Sequence, residues 1–422
     1  MPPGSGSATR SGASSSAAIG VPGPDSAYAW WRLGASLALS TIGGIGLWSV
    51  VVALPALEAE FGVDRGSAAL PYTATMIGFA VGGVLMGRVA DRFGVMVPVI
   101  LGALMLGVGY VLAASATSLW QFMLAQALVI GLLGSSATFG PLVADVSLWF
   151  QKRRGIAIAI VASGNYLAGT LWPPLLQQAI ATFGWRDAHL GIGALCVVTM
   201  LPLAFTLRRR ALLDDGRAPP AARTFPGMAR ISPSGLQVLL VLAGIACCIA
   251  MSMPQVHIVA YCGDLGYGPA RGAEMLSLML GLGVVSRLGS GLIADRIGGV
   301  GTLLLGSVLQ CLALIFYLPF DGLTSLYVVS ALFGLSQGGI VPSYALIVRE
   351  YFPAREAGAR VSLVLMATVA GMAIGGWMSG EIYDLTGSYR AAFLNGIAWN
   401  LVNTSIALWL LVGRLRGRMV PA

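Results

Sequence analysis

The chain has 422 residues, 57% of them hydrophobic and only 10% charged, with a mean hydropathy of +0.82. A soluble domain carries about 25% charged residues, so this composition excludes a soluble enzyme and reads as an all-α membrane protein crossing the bilayer many times. The net charge of +8 does not point to nucleic acid, because the basic residues fall in short clusters between apolar runs and not on one face or tail.

Residues 1–30 open with a stretch rich in Gly, Ser, Ala and Pro that lacks the apolar core of a signal peptide, and they read as a disordered cytoplasmic tail. Twelve apolar segments follow, at 31–57, 69–90, 95–115, 119–142, 155–180, 187–207, 235–262, 273–294, 300–319, 324–347, 358–383 and 391–413. Each is long enough for a helix of about 20 residues to span the hydrocarbon core. The longest break, 208–234, starts with Arg208, Arg209 and Arg210 and continues through Pro219, Pro220 and Pro226. It reads as a cytoplasmic linker between a bundle over 31–207 and a bundle over 235–413, with 414–422 as a second cytoplasmic tail.

Orientation follows from Lys and Arg. With the N-terminus inside, the cytoplasmic side receives twenty of them and the outer side four, Arg65, Arg186, Arg271 and Arg390. That bias predicts both termini in the cytoplasm and a multi-pass protein of the inner (plasma) membrane. Five cysteines lie in or beside apolar runs without CxxC spacing and read as small buried hydrophobes.

The two halves repeat one another. GRVADRFG at 87–94 returns as GLIADRIG at 291–298, WFQKRRG at 149–155 more loosely as YFPAREA at 351–357, and FGWRDA at 183–188 as TGSYRAA at 386–392, with offsets of 202 to 204. A two-fold repeat with a substrate between the halves is the architecture of an alternating-access carrier.

One charge stands inside a spanning segment. MLSLMLGLGVVSRLGSGLIA, 275–294, holds Arg287 eight residues before Asp295, roughly 12 Å inside the helix end. An intramembrane guanidinium costs on the order of 2.5–3.5 kcal/mol on insertion scales and needs a compensating partner. An exchangeable carboxylate fits, because the planar guanidinium can hold it by two parallel hydrogen bonds. The alternative is that Arg287 snorkels to an interface, although helix side chains lean toward their own N-terminus, here toward the membrane centre. Gly283 and Gly291, one turn either side, are expected to leave room around the cation, and they equally suit helix packing.

Other candidates to line a substrate path are Trp48, Tyr72, Asn165, His257 and Gln337, each of which could equally serve in packing or interhelical hydrogen bonding. His257 belongs to the residue type whose free side chain changes charge near neutral pH, and it is either a proton carrier or a packing histidine; the substrate itself could also bring the proton. Glycines 78, 82, 83 and 87, and later 371, 375, 376 and 380, read as packing faces along which the halves rock. The chain has no HExxH, no Walker loop and no metal-spaced His/Cys cluster, and Gly281-Leu-Gly283 has no strand before it. No enzyme, cofactor or metal is expected.

The paired G-x-x-A-D-R-x-G loops, the twelve segments and the central linker resemble the major facilitator superfamily over nearly the whole chain. That resemblance implies gate roles for Gly87, Asp91, Arg92 and Gly94, and for Gly291, Asp295, Arg296 and Gly298, with charge contacts between helix ends when the carrier faces outward. Val95, Met96 and Gly299 stand where the family usually has further basic residues. Within the superfamily the chain is similar to the monocarboxylate transporters and their bacterial relatives, including oxalate/formate-type antiporters. Pro24-Asp25 with Trp30 resembles their opening motif. The stretch WFQKRRGIAIAIVASGNYLAG, with Lys152, Arg153 and Arg154, resembles their fifth-helix signature. Arg287 falls where they place a carboxylate-binding arginine. Gly283 and Trp48 replace an acidic residue and a lysine that belong to the proton relay of the animal transporters.

The expected function is therefore a secondary active transporter of short monocarboxylates of the lactate or pyruvate kind, proton-coupled, with protons, the small acid and the lipid bilayer as partners, and monomeric. The alternatives are a carboxylate antiporter, an exporter of drugs or metabolites in which Arg287 is structural, and a transporter-like receptor that binds without translocating.

Overall fold

The computed structural model describes residues 25–150, 153–209, 232–352 and 354–418; the expected tail over 1–24, Pro24, Lys152 and most of the linker lie outside the described residues. Among the described residues the regular structure is helical throughout. The first half holds α1 (Ala27–Gly43), α2 (Ile45–Phe61), α3 (Arg65–Phe93), α4 (Met96–Ala114), α5 (Leu119–Leu124), α6 (Gly140–Trp149), α7 (Arg154–Ala162) and α8 (Gly164–Phe205). The second holds α9 (Pro233–Asp264), α10 (Pro269–Phe316), α11 (Leu323–Gln337), α12 (Ile340–Tyr351), α13 (Ala354–Thr386) and α14 (Tyr389–Arg418).

Ten continuous runs are long and apolar enough to cross a membrane, and two of these, Ile156–Phe205 and Pro269–Phe316, span 50 and 48 residues. At 1.5 Å per residue each would reach about 70 Å, twice a bilayer core. Both fold back at one glycine, Gly184 (φ 83°, ψ 161°) and Gly298 (φ 79°, ψ 172°). The chain therefore crosses twelve times. Several crossings are broken: α1 from α2 at Gly44, α5 from α6 by a π-turn segment and a 3-10 turn, α7 from α8 at Ser163, and α11 from α12 at Gly338-Gly339. Large apolar side chains such as Trp120 and Val198 face outward, as a lipid-facing surface requires.

The sequence repeat returns in the backbone. Gly94 (φ 86°, ψ 159°) matches Gly298, Gly62 (φ 60°) matches Gly266 (φ 80°), and Gly184 matches Gly387 (φ 65°). Positive φ is disfavoured for side chains with a Cβ, most of all at ψ of 159° and 172° as at Gly94 and Gly298, which explains the last glycine of each G-x-x-A-D-R-x-G loop. Phe150 and Phe352, 202 positions apart, each end a helix in extended conformation and are each 2% exposed.

The first segment starts earlier than expected. Ser26 caps α1, accepting from the Ala29 amide, and Trp30 lies within the helix. Arg32, one of the twenty basic residues counted on the cytoplasmic side, is 1% exposed, and its Nε and Nη2 reach the two Asp145 oxygens at 2.7 and 2.8 Å. Charge counting cannot distinguish a basic residue in water from one paired inside a bundle. The two resembling motifs also meet: the Asp25 amide donates to the Trp149 carbonyl, Trp30 packs edge-on to Phe150, and the Arg153 guanidinium lies over Trp30. Their role here is to staple the start of α1 to the α6–α7 turn. Asp64 caps α3, and hydrogen bonds from Ser67 hold its carboxyl below the usual range.

The halves meet where α3 packs on α13, α8 on α10 and α2 on α9. Gly298→Ala should lower stability by about 1–3 kcal/mol through its left-handed backbone alone. Thermal unfolding in detergent checks this, with Gly289→Ala, a helical glycine with open space around it, as the neutral control.

Candidate functional site

Arg287 lies on α10, eleven residues before the Gly298 turn, about 16 Å from it. Its guanidinium sits 4.1 Å from the centroid of the Tyr166 ring. Nη1 donates to the Ala162 carbonyl at 3.0 Å and Nε to the Gly338 carbonyl at 3.4 Å. Ala162 is the last residue of α7, and Gly338 directly follows α11. The last turn of a helix leaves carbonyls without intrahelical partners and carries a partial negative charge. Two interrupted helices, one from each half, thus present their negative ends to one cation, while a ring presents its π face. Among the described residues no carboxylate pairs with Arg287.

Gly283 does not leave room. A Cβ there would lie 2.6 Å from the Tyr166 ring, so the missing side chain admits the ring that stacks on Arg287. Gly291 has open space around it, as expected. The neighbouring contact between α8 and α10 is equally close: Leu280 and Trp48 both pack where a Cβ on Gly169 would stand, and Ser277 donates to the Thr170 carbonyl.

The six expected lining residues divide into two groups. Gln337 is fully buried beside Gly283, its Nε2 3.7 Å from that Cβ position, and its Oε1 accepts from Gln255. Trp48 lies one contact away through Leu280, with its indole donating to the Asn165 carbonyl at 3.2 Å. Asn165 itself turns its side chain toward Gly44, at the break between α1 and α2. Tyr72 and His257 are elsewhere, on either side of Gly376: the Tyr72 ring packs against it, and His257 Nε2 donates to its carbonyl at 2.7 Å. His257 Nδ1 faces the Tyr389 hydroxyl at 3.4 Å, so both ring nitrogens are engaged in a fully buried site.

Tyr389 leads to a cluster at one end of the bundle. Arg65, only 7% exposed, donates to the Tyr389 hydroxyl at 2.6 Å, to Asp264 at 3.0 and 3.3 Å, and to Glu58 at 3.2 Å, with the Tyr383 ring 4.9 Å from its guanidinium carbon. The amides of Arg65 and Gly66 both donate to Asp384. One arginine at the start of α3 therefore binds α2 to α9, α13 and α14. The glycines here are packed across the halves, a Cβ on Gly380 standing 2.8 Å from the Gly66 Cα.

The opposite end differs. Asp91, Arg92, Asp295 and Arg296 are exposed and make no ion pair among the described residues, and nothing lies within 4 Å of a Cβ on Gly87 or Gly291. The charge contacts expected there when the carrier faces outward are not made in this structure among the described residues. Arg153 is exposed on the same side; the Arg154 side chain and Lys152 lie outside the described residues. The glycine rows also serve two purposes. Gly78 and Gly82 admit carbonyls of Ala127 and Leu132, and Gly371 and Gly375 those of Ile245 and Ile249, all within one half, whereas Gly376 and Gly380 face α3 of the other half.

Sequence reasoning missed Tyr166, Gln255 and the Arg65 cluster. Gln255 was signalled by a polar residue in an otherwise apolar helix core, and Tyr166 by its place beside Asn165 in the small-residue run.

The major facilitator superfamily model matches residues 37–325 and 290–421. The chain belongs to that superfamily. It is 28% identical over 339 residues to monocarboxylate transporter 13 of Bos taurus, covering 79% of this chain and 78% of that one. It is 28% identical over 407 residues to monocarboxylate transporter 11 of Mus musculus, covering 88% and 85%. An agnestins efflux protein of Paecilomyces divaricatus is 24% identical over 356 residues, 83% and 80%. Among solved structures, a bacterial homolog of the human lysosomal transporter Spinster, inward-facing and unoccupied, superposes with TM-score 0.68 at 14% identity over 94% of this chain and 99% of that one. The nucleoside transporter NupG gives TM-score 0.69 at 13% identity over 90% and 99%. Both share the fold.

Removing the Arg65 guanidinium should loosen its end of the bundle. A charged hydrogen bond is worth about 1.5–3 kcal/mol, so Arg65→Gln should speed amide exchange over 65–75 and 373–386 by roughly tenfold or more, read by mass spectrometry. Unchanged exchange would mean that the cluster does not hold that end closed.

Proposed function

We propose that the chain is a secondary active carrier of short monocarboxylates of the lactate or pyruvate kind, working by alternating access of two six-helix bundles over 31–207 and 235–413 joined by the linker 208–234. The observation that carries the reading is the Arg287 guanidinium, set between the halves, cushioned by a ring and two helix ends, with no carboxylate partner among the described residues. One such cation favours a monoanion, and the names of the animal relatives point the same way. No residue is asked to form or break a covalent bond, which is a carrier's chemistry and not an enzyme's.

With both termini cytoplasmic in the plasma (inner) membrane, the Arg65 cluster lies outside and the Asp91 and Asp295 loops inside, so this conformation is open to the cytoplasm. The carrier is monomeric and takes a proton with each acid. His257, with both nitrogens engaged, is better placed to brace α9 against α13 than to shuttle that proton. The efflux protein among the relatives favours a second reading, export of a drug or metabolite with Arg287 structural.

Purified protein in liposomes separates these. Labelled lactate or pyruvate should enter, acid outside should speed entry, and Arg287→Ala should abolish it. Arg287→Lys should retain only a small fraction, since a point charge cannot make the two-pronged pair. Uptake surviving Arg287→Ala would favour the exporter, and binding without uptake a receptor.

A further inference from the structure

We propose that this site reads a second oxygen on its substrate, an oxo or hydroxyl group beside the carboxylate, through the Nε2 of Gln337, with Gln255 as the positioning residue. The proposal rests on the monocarboxylate reading of Arg287 and goes further, assigning which acids the site prefers and why.

Gln337, at the end of α11, and Gln255, on α9, are 0% and 2% exposed. The Gln255 amide donates to Gln337 Oε1, which orients the Gln337 amide and leaves its Nε2 buried with no acceptor. Buried donors are almost always paired, and an orphan in a transporter's centre asks for an acceptor that comes and goes. Its position is specific. Nε2 lies 3.7 Å from the Cβ position of Gly283, the Tyr166 ring lies 2.6 Å from that same point, and the ring's centroid is 4.1 Å from the Arg287 guanidinium carbon. The carbonyl of the next residue, Gly338, takes Arg287 Nε. Donor and cation thus pack around one point on α10, and Gly283 and Arg287 are one helical turn apart.

Gln337 is the last residue of α11, immediately before the Gly338-Gly339 break, whose glycines pack against Gly283, Arg287 and Ser290 of α10. An amide N–H donates to a carbonyl or hydroxyl oxygen without adding charge to the site, and Arg287 is the one cation beside it, so a second carboxylate would be buried without a counter-charge. The resulting order is 2-oxo and 2-hydroxy monoacids first, unsubstituted monoacids of equal size well behind, and dicarboxylates excluded. A site built to hydrogen-bond one oxygen rejects the analogue lacking it, because its own donor is then left bare.

The test is labelled pyruvate uptake into liposomes holding the full chain, competed by lactate, propionate and succinate. Wild type should be inhibited by lactate about tenfold or more better than by propionate. Gln337→Met should bring that ratio to roughly twofold or less by weakening pyruvate and lactate alone, with labelled propionate still carried, which also reports a folded protein. Gln255→Met should shift the ratio in the same direction by a smaller factor. Propionate competing as well as lactate in wild type, or an unchanged ratio in Gln337→Met, overturns the proposal. Should Gln337→Met carry nothing, the wild-type ratio decides by itself. Failure to carry any carboxylate would instead remove the monocarboxylate reading beneath it.

Discussion

A permanent positive charge with no carboxylate partner among the described residues is the constraint on which the rest of this molecule turns. Three arginines show what the alternatives look like in one chain. Arg32 is locked onto Asp145 and Arg65 onto Glu58 and Asp264, and both tie helices together. Arg287 has weaker company: two carbonyls and a ring. Removing water from a guanidinium without supplying a carboxylate is tolerable only because helix C-termini and π faces each return part of the lost solvation. The breaks after Ala162 and Gln337 supply that compensation, and irregular backbone inside a membrane protein is tolerated only where it is buried in protein or lines a cavity.

Superfamily membership and the twelve-crossing fold were legible in the sequence because both rest on long-range regularities: apolar runs of bilayer length and a repeat at 202 to 204 residues that the backbone reproduces at Gly94 and Gly298. Arg287 was legible for the same reason, as one charge against an apolar background. What could not be read was pairing. A count of basic residues treats Arg32, Arg65 and Arg92 alike, yet the first two are buried in ion pairs and the third stands in the open. Gly283 shows the same limit from the other side. Its missing side chain looked like free space, and the ring of Tyr166, over a hundred positions away, occupies it. Tyr72 and His257 looked equivalent to Trp48 and Gln337 as polar or aromatic residues in apolar helices, and only the packing around Gly376 separates them.

The two ends of the bundle are stabilised by different physics, and this bears on how a carrier could cycle. At the Arg65 end, charges, tyrosines and glycine-to-backbone contacts across the halves form a continuous seal. At the Asp91 end the corresponding charges stand apart in solvent. These contacts are polar, and water can stand in for each partner when such groups separate. A greasy interface of the same area would lack that property.

A ligand shifts a two-state equilibrium only by binding the states unequally, and the contacts of Arg287 supply such an inequality. Nε bonds to Gly338 within its own half, whereas Nη1 bonds to Ala162 in the other. On the proposed function, an anion that takes over Nη1 replaces a bond across the halves with one that travels with the second half alone. The empty carrier is then held together partly by its own binding residue, and occupying that residue changes the cohesion of the interface. Coupling between binding and movement follows from where one hydrogen bond crosses, without a relay between distant sites.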